Sequence, residues 1–238
     1  MTGVRQTAGG VVQTSGGVAQ TTADEVLTID SWEDSNYTDD YTAYTGGFGF
    51  DGTYVADGSV ALYKDGGTNS NTFNRIISNN GLPNYPSKGS IHNAYVRVSD
   101  TANVQYRQLF GAGTGDDDRY MAVIDFADGG LELRRHTASS DTLLAFANEG
   151  VSAGRFYRER VLWSDGSSRF STGEDTITVE LYDHGTGSTP TETGTFLDSV
   201  SATDATHATN TGWGVYLIGV DSAGQEAWMD HVYLEPES

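Results

Sequence analysis

The feature that most limits the fold of this chain is a period-two alternation of apolar and polar residues, which begins near residue 26 and recurs toward the C-terminus. Clear examples lie at residues 94–98, 120–126 and 176–182. Five Asp-Gly dipeptides lie in the stretches between such segments, and this dipeptide tolerates the positive φ angles of tight hairpins. No segment carries a sustained helical stripe. The pattern predicts an all-β fold, an antiparallel sandwich of two sheets.

Residues 1–26 follow a different pattern, a Gly-rich repeat of period seven whose units begin at Gln6, Gln13 and Gln20. The first two units each contain a glycine pair, at 9–10 and 16–17, which costs about 2 kcal/mol of helix propensity, so we reject a coiled coil. Small strands with turns, an arm that folds against a neighbouring subunit, and a disordered tail all fit this composition. We predict a Gly-rich N-terminal arm at 1–26, used for oligomerisation or anchoring, and one domain at 27–238.

The charge of the chain limits its partners. It has 33 Asp and Glu residues against 13 Lys and Arg, a formal charge of −20, and no basic stripe that could bind a phosphate backbone. We therefore expect no nucleic-acid binding. Lys64 and Lys88 are the only lysines, and excess carboxylate with scarce lysine is typical of proteins kept soluble in concentrated salt. We predict a halophilic source, a haloarchaeon or its virus, with an ordinary acidic extracellular protein as the alternative.

The sequence shows no apolar stretch typical of a signal peptide or a transmembrane helix. Residues 1–21 contain no apolar stretch of the signal-peptide kind, and no segment approaches ~18 uninterrupted apolar residues. We therefore expect synthesis in the cytoplasm without membrane insertion. A protein whose upstream signal peptide had been removed would read the same way, which leaves an extracellular location as the alternative.

The predicted strands follow a specific order. Residues 29–34 open the series, residues 120–126 and 178–183 lie within it, and Trp228-Met229-Asp230-His231-Val232 closes it. Over about residues 27–236 this order resembles the concanavalin A-like lectin/glucanase jelly roll, of the laminin-G-like kind found in carbohydrate-binding and viral attachment modules. The resemblance implies a two-sheet antiparallel jelly-roll sandwich with one concave outer face available to ligands. A fold of this kind does not fix the function.

The sequence disfavours an enzyme. Glucanases of the superfamily carry Glu, Asp and Glu on one face of a single strand, because retaining hydrolysis needs two carboxyls about 5–5.5 Å apart. No Glu-x-Asp-x-x-Glu occurs in this chain. Glu174 and Asp175 are adjacent and would point to opposite faces of a strand, while Glu132 and Glu180 stand alone. The five histidines are too dispersed for a catalytic triad or a zinc site. We predict a non-enzymatic protein.

Calcium is the cofactor that the resemblance implies, since related jelly rolls often use a structural calcium to tie the first strand to the last. The matching positions are Asp30 and Asp230, with Glu33 or Asp34 as further ligands. Calcium takes six to eight oxygen ligands, so backbone carbonyls would have to supply several. In so acidic a chain the same carboxylates fit a hydration surface equally well.

Tyrosines are the candidate sugar-binding residues, because aromatic rings stack on pyranose rings. The densest group contains Tyr37, Tyr41, Tyr44 and Tyr54, and the amide-rich loop at 79–86 adds Tyr85. The alternative role for each of these rings is packing in the core or at a sheet edge.

Two functions fit these observations. In the first, the chain is a structural protein of a haloarchaeal tailed virus, such as a capsid decoration, a turret or a tail-associated spike. It would form a homo-oligomer, a trimer or pentamer, contact other virion proteins through the arm, and display the lectin-like domain to host surface glycan or glycoprotein. The protein would then reside in the virion, assembled in the host cytoplasm. In the second, it is a carbohydrate-binding module of a secreted halophilic glycoside hydrolase or adhesin.

Overall fold

The computed structural model describes residues 4–7, 10–15, 18–20, 26–45, 47–67, 73–78, 81–113, 118–138 and 140–236. This part of the chain is built from strands and turns, and it contains no helix long and apolar enough to cross a membrane. The strands are β1 (Val4–Thr7), β2 (Gly10–Ser15), β3 (Val18–Gln20), β4 (Leu27–Asp30), β5 (Thr42–Thr45), β6 (Phe48–Asp51), β7 (Ala61–Asp65), β8 (Phe73–Ser78), β9 (Ile91–Val98), β10 (Gln105–Ala112), β11 (Asp118–Asp125), β12 (Gly130–Thr137), β13 (Ser140–Asn148), β14 (Phe156–Trp163), β15 (Thr176–Asp183), β16 (Thr195–Thr203), β17 (Gly212–Ile218) and β18 (Glu226–Leu234).

Two large antiparallel sheets pack against each other. The seven-stranded sheet has the order β13-β12-β11-β10-β17-β8-β5. The eight-stranded sheet has the order β16-β15-β14-β9-β18-β7-β6, and β4 also pairs with β18. Because β4 and β18 are neighbours, the first strand of the sandwich lies beside the last. The predicted all-β, two-sheet antiparallel sandwich is confirmed.

The core consists of the inward half of each alternating strand. In β15 the inward side chains are Ile177, Val179 and Leu181, all fully buried. In β17 they include Val215 and Leu217, which are also fully buried. Burying one such side chain contributes roughly 1.5–3 kcal/mol, so the alternation predicted from the sequence is itself the main source of stability.

The N-terminal segment forms a small sheet of its own, in the order β1-β2-β3. Gln6 pairs with Val11 in the first hairpin, and Gln13 pairs with Gln20 in the second. Of the three arrangements that fit this repeat, the described residues form small strands. The oligomerising or anchoring role of residues 1–26 stays a prediction, and so does the domain boundary after residue 26.

A polar bridge joins the two sheets inside the core. Glu159 of β14 is fully buried and accepts a hydrogen bond of 3.0 Å from Gln108 Nε2 of β10 in the opposite sheet. The Gln108 carbonyl oxygen in turn accepts a hydrogen bond of 3.2 Å from Trp213 Nε1. Burial disfavours the charged carboxylate and raises the pKa of Glu159 to about 8 from 4.5. Glu159 is therefore a neutral acid in the folded protein at neutral pH.

We predict that the Glu159 proton makes the protein less stable as the pH rises. Between about pH 5 and 8 the folded chain holds a proton that the unfolded chain has released. The free energy of unfolding therefore falls with pH in this range, by up to about 1.4 kcal/mol per pH unit for one proton. Glu159→Gln, which cannot ionise, should flatten this slope in denaturant titrations at a series of pH values.

A control variant separates this effect from other titrating groups. Glu192 is exposed, so Glu192→Gln should leave the slope of the wild-type protein unchanged. A Glu159→Gln variant that folds and retains the full wild-type slope would contradict the assignment of the proton to Glu159.

Candidate functional site

The outer side of the eight-stranded sheet carries a band of aromatic and basic side chains. We call it the aromatic face and define it by half-buried Tyr95, Arg158, Tyr182, His231 and Tyr233. Strand register brings these residues together, since Tyr95 lies opposite Arg158, and Arg158 lies opposite Tyr182. Their inward neighbours fill the core, so this side of each strand is left to face solvent.

The rings of this face form two groups, and Arg158 lies between them. The centroid of Tyr95 lies 5.1 Å from that of His184 and 6.1 Å from that of His231. His231 lies 4.6 Å from Tyr233, which extends the row along β18. At the sheet edge the Tyr182 ring lies 5.5 Å from Phe196, whose side chain is 51% exposed. Arg158 lies between Tyr95 and Tyr182 and links the two groups of rings, so together they form one platform with an exposed rim.

A loop covers one end of the platform. Tyr54 packs on Trp228 with ring centroids 4.7 Å apart, and its ring lies 3.9 Å from the guanidinium carbon of Arg97. Trp228 is nearly buried and donates a hydrogen bond of 2.9 Å from Nε1 to Asp51. This end is occupied by the protein's own side chains.

Asp230 holds that loop in place. Its side chain is 1% exposed and accepts hydrogen bonds from the backbone N–H groups of Ala56 at 2.6 Å, Asp57 at 2.9 Å and His231 at 2.7 Å. Burial is the largest influence on this carboxyl and raises its pKa to about 7 in spite of the three donors. His231 Nδ1 lies 3.2 Å from the Asp57 carboxylate, while burial lowers the pKa of His231.

The glutamates at the other end of the face are paired with an arginine. Arg160 donates to Glu180 at 2.7 Å and to both oxygens of Glu235, at 2.6 and 2.8 Å. Tyr182 also donates its hydroxyl proton to Glu180, at 2.8 Å. Burial acts to raise the pKa of Glu235, but the hydrogen bond and charge of Arg160, together with Asn93 and the charge of Arg158, lower it below its ordinary value. Both carboxylates are therefore ionised partners of Arg160. A general acid must carry a proton, so this state does not suit that role.

Two of the predicted tyrosines pack in or against the core. Tyr41 is 5% exposed, with ring centroids 5.2 Å from Trp32 and 6.3 Å from Trp213. Tyr37 is half-buried, and its ring lies 6.0 Å from Phe50. Both rings have a packing role in this arrangement.

The other three predicted tyrosines are in different places. Tyr54 lies at the covered end of the aromatic face. Tyr85 is half-buried, with its hydroxyl 2.6 Å from that of Ser78 and accepting the Leu82 N–H at 3.0 Å. Tyr44 belongs to β5, and its side chain lies outside the described part of the chain. The structure therefore does not gather the five predicted tyrosines into one site.

The residues that do form the platform were missed at the sequence level. Tyr95, Tyr182 and Tyr233 each alternate with buried residues of their strands, so the period-two pattern predicts that their side chains point outward. The pattern does not predict that they lie close together, because residues 95, 182 and 233 meet only through the pairing order of β9, β14, β15 and β18.

Three of the predicted calcium ligands share one cleft. Asp30, Glu33 and Asp34 line a cleft of about 320 Å³, together with Asp40. Within it Asp30 accepts the Trp32 N–H and the Tyr41 hydroxyl, each at 2.8 Å, and burial raises its pKa to about 6.

Two of the four predicted calcium ligands, Glu33 and Asp230, accept hydrogen bonds from other parts of the protein. Both Glu33 oxygens accept hydrogen bonds from Ser59, at 2.7 Å each. Asp230 faces the loop that it holds and does not line the cleft. No group of three acidic or histidine side chains that could hold a metal ion occurs within the described residues. Calcium binding stays a prediction, which metal analysis after extensive dialysis would test.

The architecture is shared with known carbohydrate-active proteins. No family model and no curated protein matches the chain. Among solved structures, the mixed linkage glucan PUL GH16 protein of Bacteroides ovatus is 9% identical with a TM-score of 0.54, covering 86% of this chain and 98% of its own. SCLam, a non-specific endo-β-1,3(4)-glucanase of family GH16, is 8% identical with a TM-score of 0.53, covering 93% and 94%.

A carbohydrate-binding module, CBM66 of Bacillus subtilis, is 12% identical with a TM-score of 0.50, covering 82% of this chain and 94% of its own. The fold is the concanavalin A-like jelly roll. At these identities the likeness concerns the fold alone, and the predicted resemblance in fold is confirmed.

We predict that Asp230 is the most important carboxylate for the order of the loop. Asp230→Ala leaves the N–H groups of Ala56 and Asp57 without their acceptor, and an unsatisfied buried donor costs about 1–3 kcal/mol. Denaturant unfolding should therefore show a loss of roughly 2–4 kcal/mol in the free energy of unfolding. Asp34→Ala, at an exposed position, should change it by less than about 0.5 kcal/mol. Equal effects of the two substitutions would contradict the role given to Asp230.

Proposed function

We propose that this protein is a non-enzymatic glycan-binding domain and that its sugar site is the aromatic face. The observation that carries the proposal is the group of half-buried rings on both sides of Arg158, with Phe196 exposed at the rim. Rings of this kind present flat apolar surfaces to the C–H face of a pyranose, while Tyr and His groups between them supply hydrogen bonds. The shared fold with a carbohydrate-binding module and with glucanases supports this proposal.

A binding role is favoured over catalysis by the state of the carboxylates. Glu180 and Glu235 are both bound to Arg160, and Asp230 is buried under the loop that it holds. A retaining glycosidase needs one carboxyl free to attack and another poised to give a proton. Neither role suits these three groups, in agreement with the absence of Glu-x-Asp-x-x-Glu from the sequence.

We predict that removing rings from the aromatic face weakens binding to soluble polysaccharide. Tyr182→Ala and Tyr233→Ala should each weaken it by about three- to tenfold, since an aromatic contact contributes ~0.5–1.5 kcal/mol. Isothermal titration calorimetry in concentrated salt, across a panel of neutral and acidic polysaccharides, measures this effect. No release of reducing ends is expected from any of these polysaccharides.

Tyr216→Ala is the matched control, because Tyr216 lies on the outer side of the seven-stranded sheet, between Arg75 and Arg107. It should leave binding unchanged. Loss of binding in Tyr216→Ala, with normal binding in Tyr182→Ala and Tyr233→Ala, would move the sugar site to the other sheet. Circular dichroism confirms that each variant is folded.

We propose the virion of a haloarchaeal tailed virus as the setting of this domain, with a secreted carbohydrate-binding module as the second candidate. The viral setting is supported by the salt-adapted composition and by strands β1–β3, which form a sheet separate from the sandwich. The ligand would then be host surface glycan.

Mass photometry in concentrated salt distinguishes the two settings. The viral setting predicts a trimer or pentamer that becomes a monomer when residues 1–26 are deleted, with binding to polysaccharide retained. A full-length protein that is strictly monomeric would count against the virion and favour the secreted module.

A further inference from the structure

The centre of the aromatic face holds an arginine, Arg158, that forms no salt bridge with the described residues. Its guanidinium carbon lies 4.4 Å from the centre of the Tyr182 ring, and it lies directly opposite Tyr95 in the sheet. No carboxylate of the described residues lies within 4.0 Å of it, the limit for a salt bridge. Its charge contributes to the lowered pKa of Glu235, but both oxygens of Glu235 are hydrogen-bonded to Arg160. The Nε atom of Arg158 is buried and has no hydrogen-bond partner in the same part of the chain.

A shortage of acidic residues does not explain why Arg158 forms no salt bridge. The chain has 33 acidic residues against 13 basic ones, and two neighbouring arginines are paired with carboxylates. Arg160 binds Glu180 and Glu235, and Arg155 binds Asp183. Arg97 of β9 also forms no salt bridge in the described part of the chain, but it donates to the Gly154 carbonyl oxygen and is covered by the Tyr54 ring. Arg158 has no backbone acceptor of this kind among the described residues.

Tyr95 does not neutralise the charge of Arg158. Burial raises the pKa of Tyr95 to about 12, so its hydroxyl stays protonated near neutral pH and offers only a neutral acceptor. The Tyr182 ring provides a cation–π contact, which is weaker than a charge-assisted pair. A half-buried guanidinium in these surroundings retains donors and a charge for an external anion.

Resting on the proposed sugar site, we propose that the ligand is an acidic glycan, whose uronate carboxylate pairs with Arg158 while its ring stacks on Tyr182 or Tyr95. The planar guanidinium matches a carboxylate with two parallel hydrogen bonds. One residue would therefore select a charged sugar, and the rings beside it would supply the stacking surface.

Salt dependence follows from the same arrangement. The formal charge of −20 repels a polyanion at long range, but the Debye length is only about 3 Å at 1 M salt. Concentrated salt therefore removes the repulsion while the half-buried contact persists. Binding to an acidic glycan should be retained or strengthened from about 0.1 to 1 M salt, opposite to the weakening seen for basic proteins on polyanions.

The test uses polygalacturonate and the same polymer with its carboxyl groups methyl-esterified, alongside alginate and hyaluronate. The wild-type protein should bind polygalacturonate about tenfold or more tightly than its ester, since hydrogen bonds to a charged group are stronger than those to a neutral one. Arg158→Gln should reduce binding of the acid form to the level of the ester and leave the ester unchanged. Arg158→Lys keeps the charge but not the planar pair of hydrogen-bond donors, so its affinity for the acid form should lie between those of the wild-type protein and Arg158→Gln.

Arg134→Gln is the matched control, because Arg134 lies on the seven-stranded sheet and pairs with Glu132. It should not alter the preference for the acid form. Equal binding of acid and ester, with Tyr182→Ala still weakening both, would overturn the acidic ligand and leave the sugar site standing. Binding of dextran sulfate as tight as that of the uronates would overturn the carboxylate assignment. Failure to bind any of the neutral or acidic polysaccharides would overturn both proposals.

Discussion

Every feature of this molecule depends on one constraint, the packing of two sheets face to face. Each strand must give alternate side chains to the space between the sheets, and the remaining side chains must face outward. In β15, Val179 and Leu181 enter the core, which places Glu180 and Tyr182 on the solvent side. Because the period is two, a shift of one residue would exchange the two sets. The strand register that places the apolar residues in the core therefore also places the aromatic face on the outer side of the sheet.

Charged groups on this face are stabilised in three different ways. Asp230 is buried against three backbone N–H groups, and Arg160 is neutralised by two glutamates. Arg158 lies beside the Tyr182 ring and the neutral Tyr95 hydroxyl, and it forms no salt bridge with the described residues. The first two arrangements stabilise the loop and the sheet. The third leaves an interaction incomplete within the described chain, and this asymmetry distinguishes a ligand contact from a structural ion pair.

The predicted tyrosines do not come together at one place, for a physical reason. Tyrosines are dense along the stretch that contains Tyr37, Tyr41 and Tyr54, but density along a chain does not determine the direction of each side chain. Tyr41 turns into the core beside Trp32, and Tyr54 turns to the outer face beside Trp228. The resemblance predicts that Asp30 and Asp230 lie close together because the first strand meets the last, and β4 does pair with β18. Their side chains nevertheless bond to different partners, Tyr41 for the first and the 56–57 backbone for the second.

The sequence by itself determined the all-β class, the two-sheet sandwich and the inward residues of its strands, because alternation and turn chemistry act locally. It also determined the acidic surface. Only the tertiary structure decided that Tyr95, Arg158, Tyr182 and Tyr233 form one platform, since they lie up to 138 positions apart and meet through strand pairing. It likewise decided that Arg158 forms no salt bridge with the described residues, because ion pairing depends on side chains that the fold brings within 4 Å.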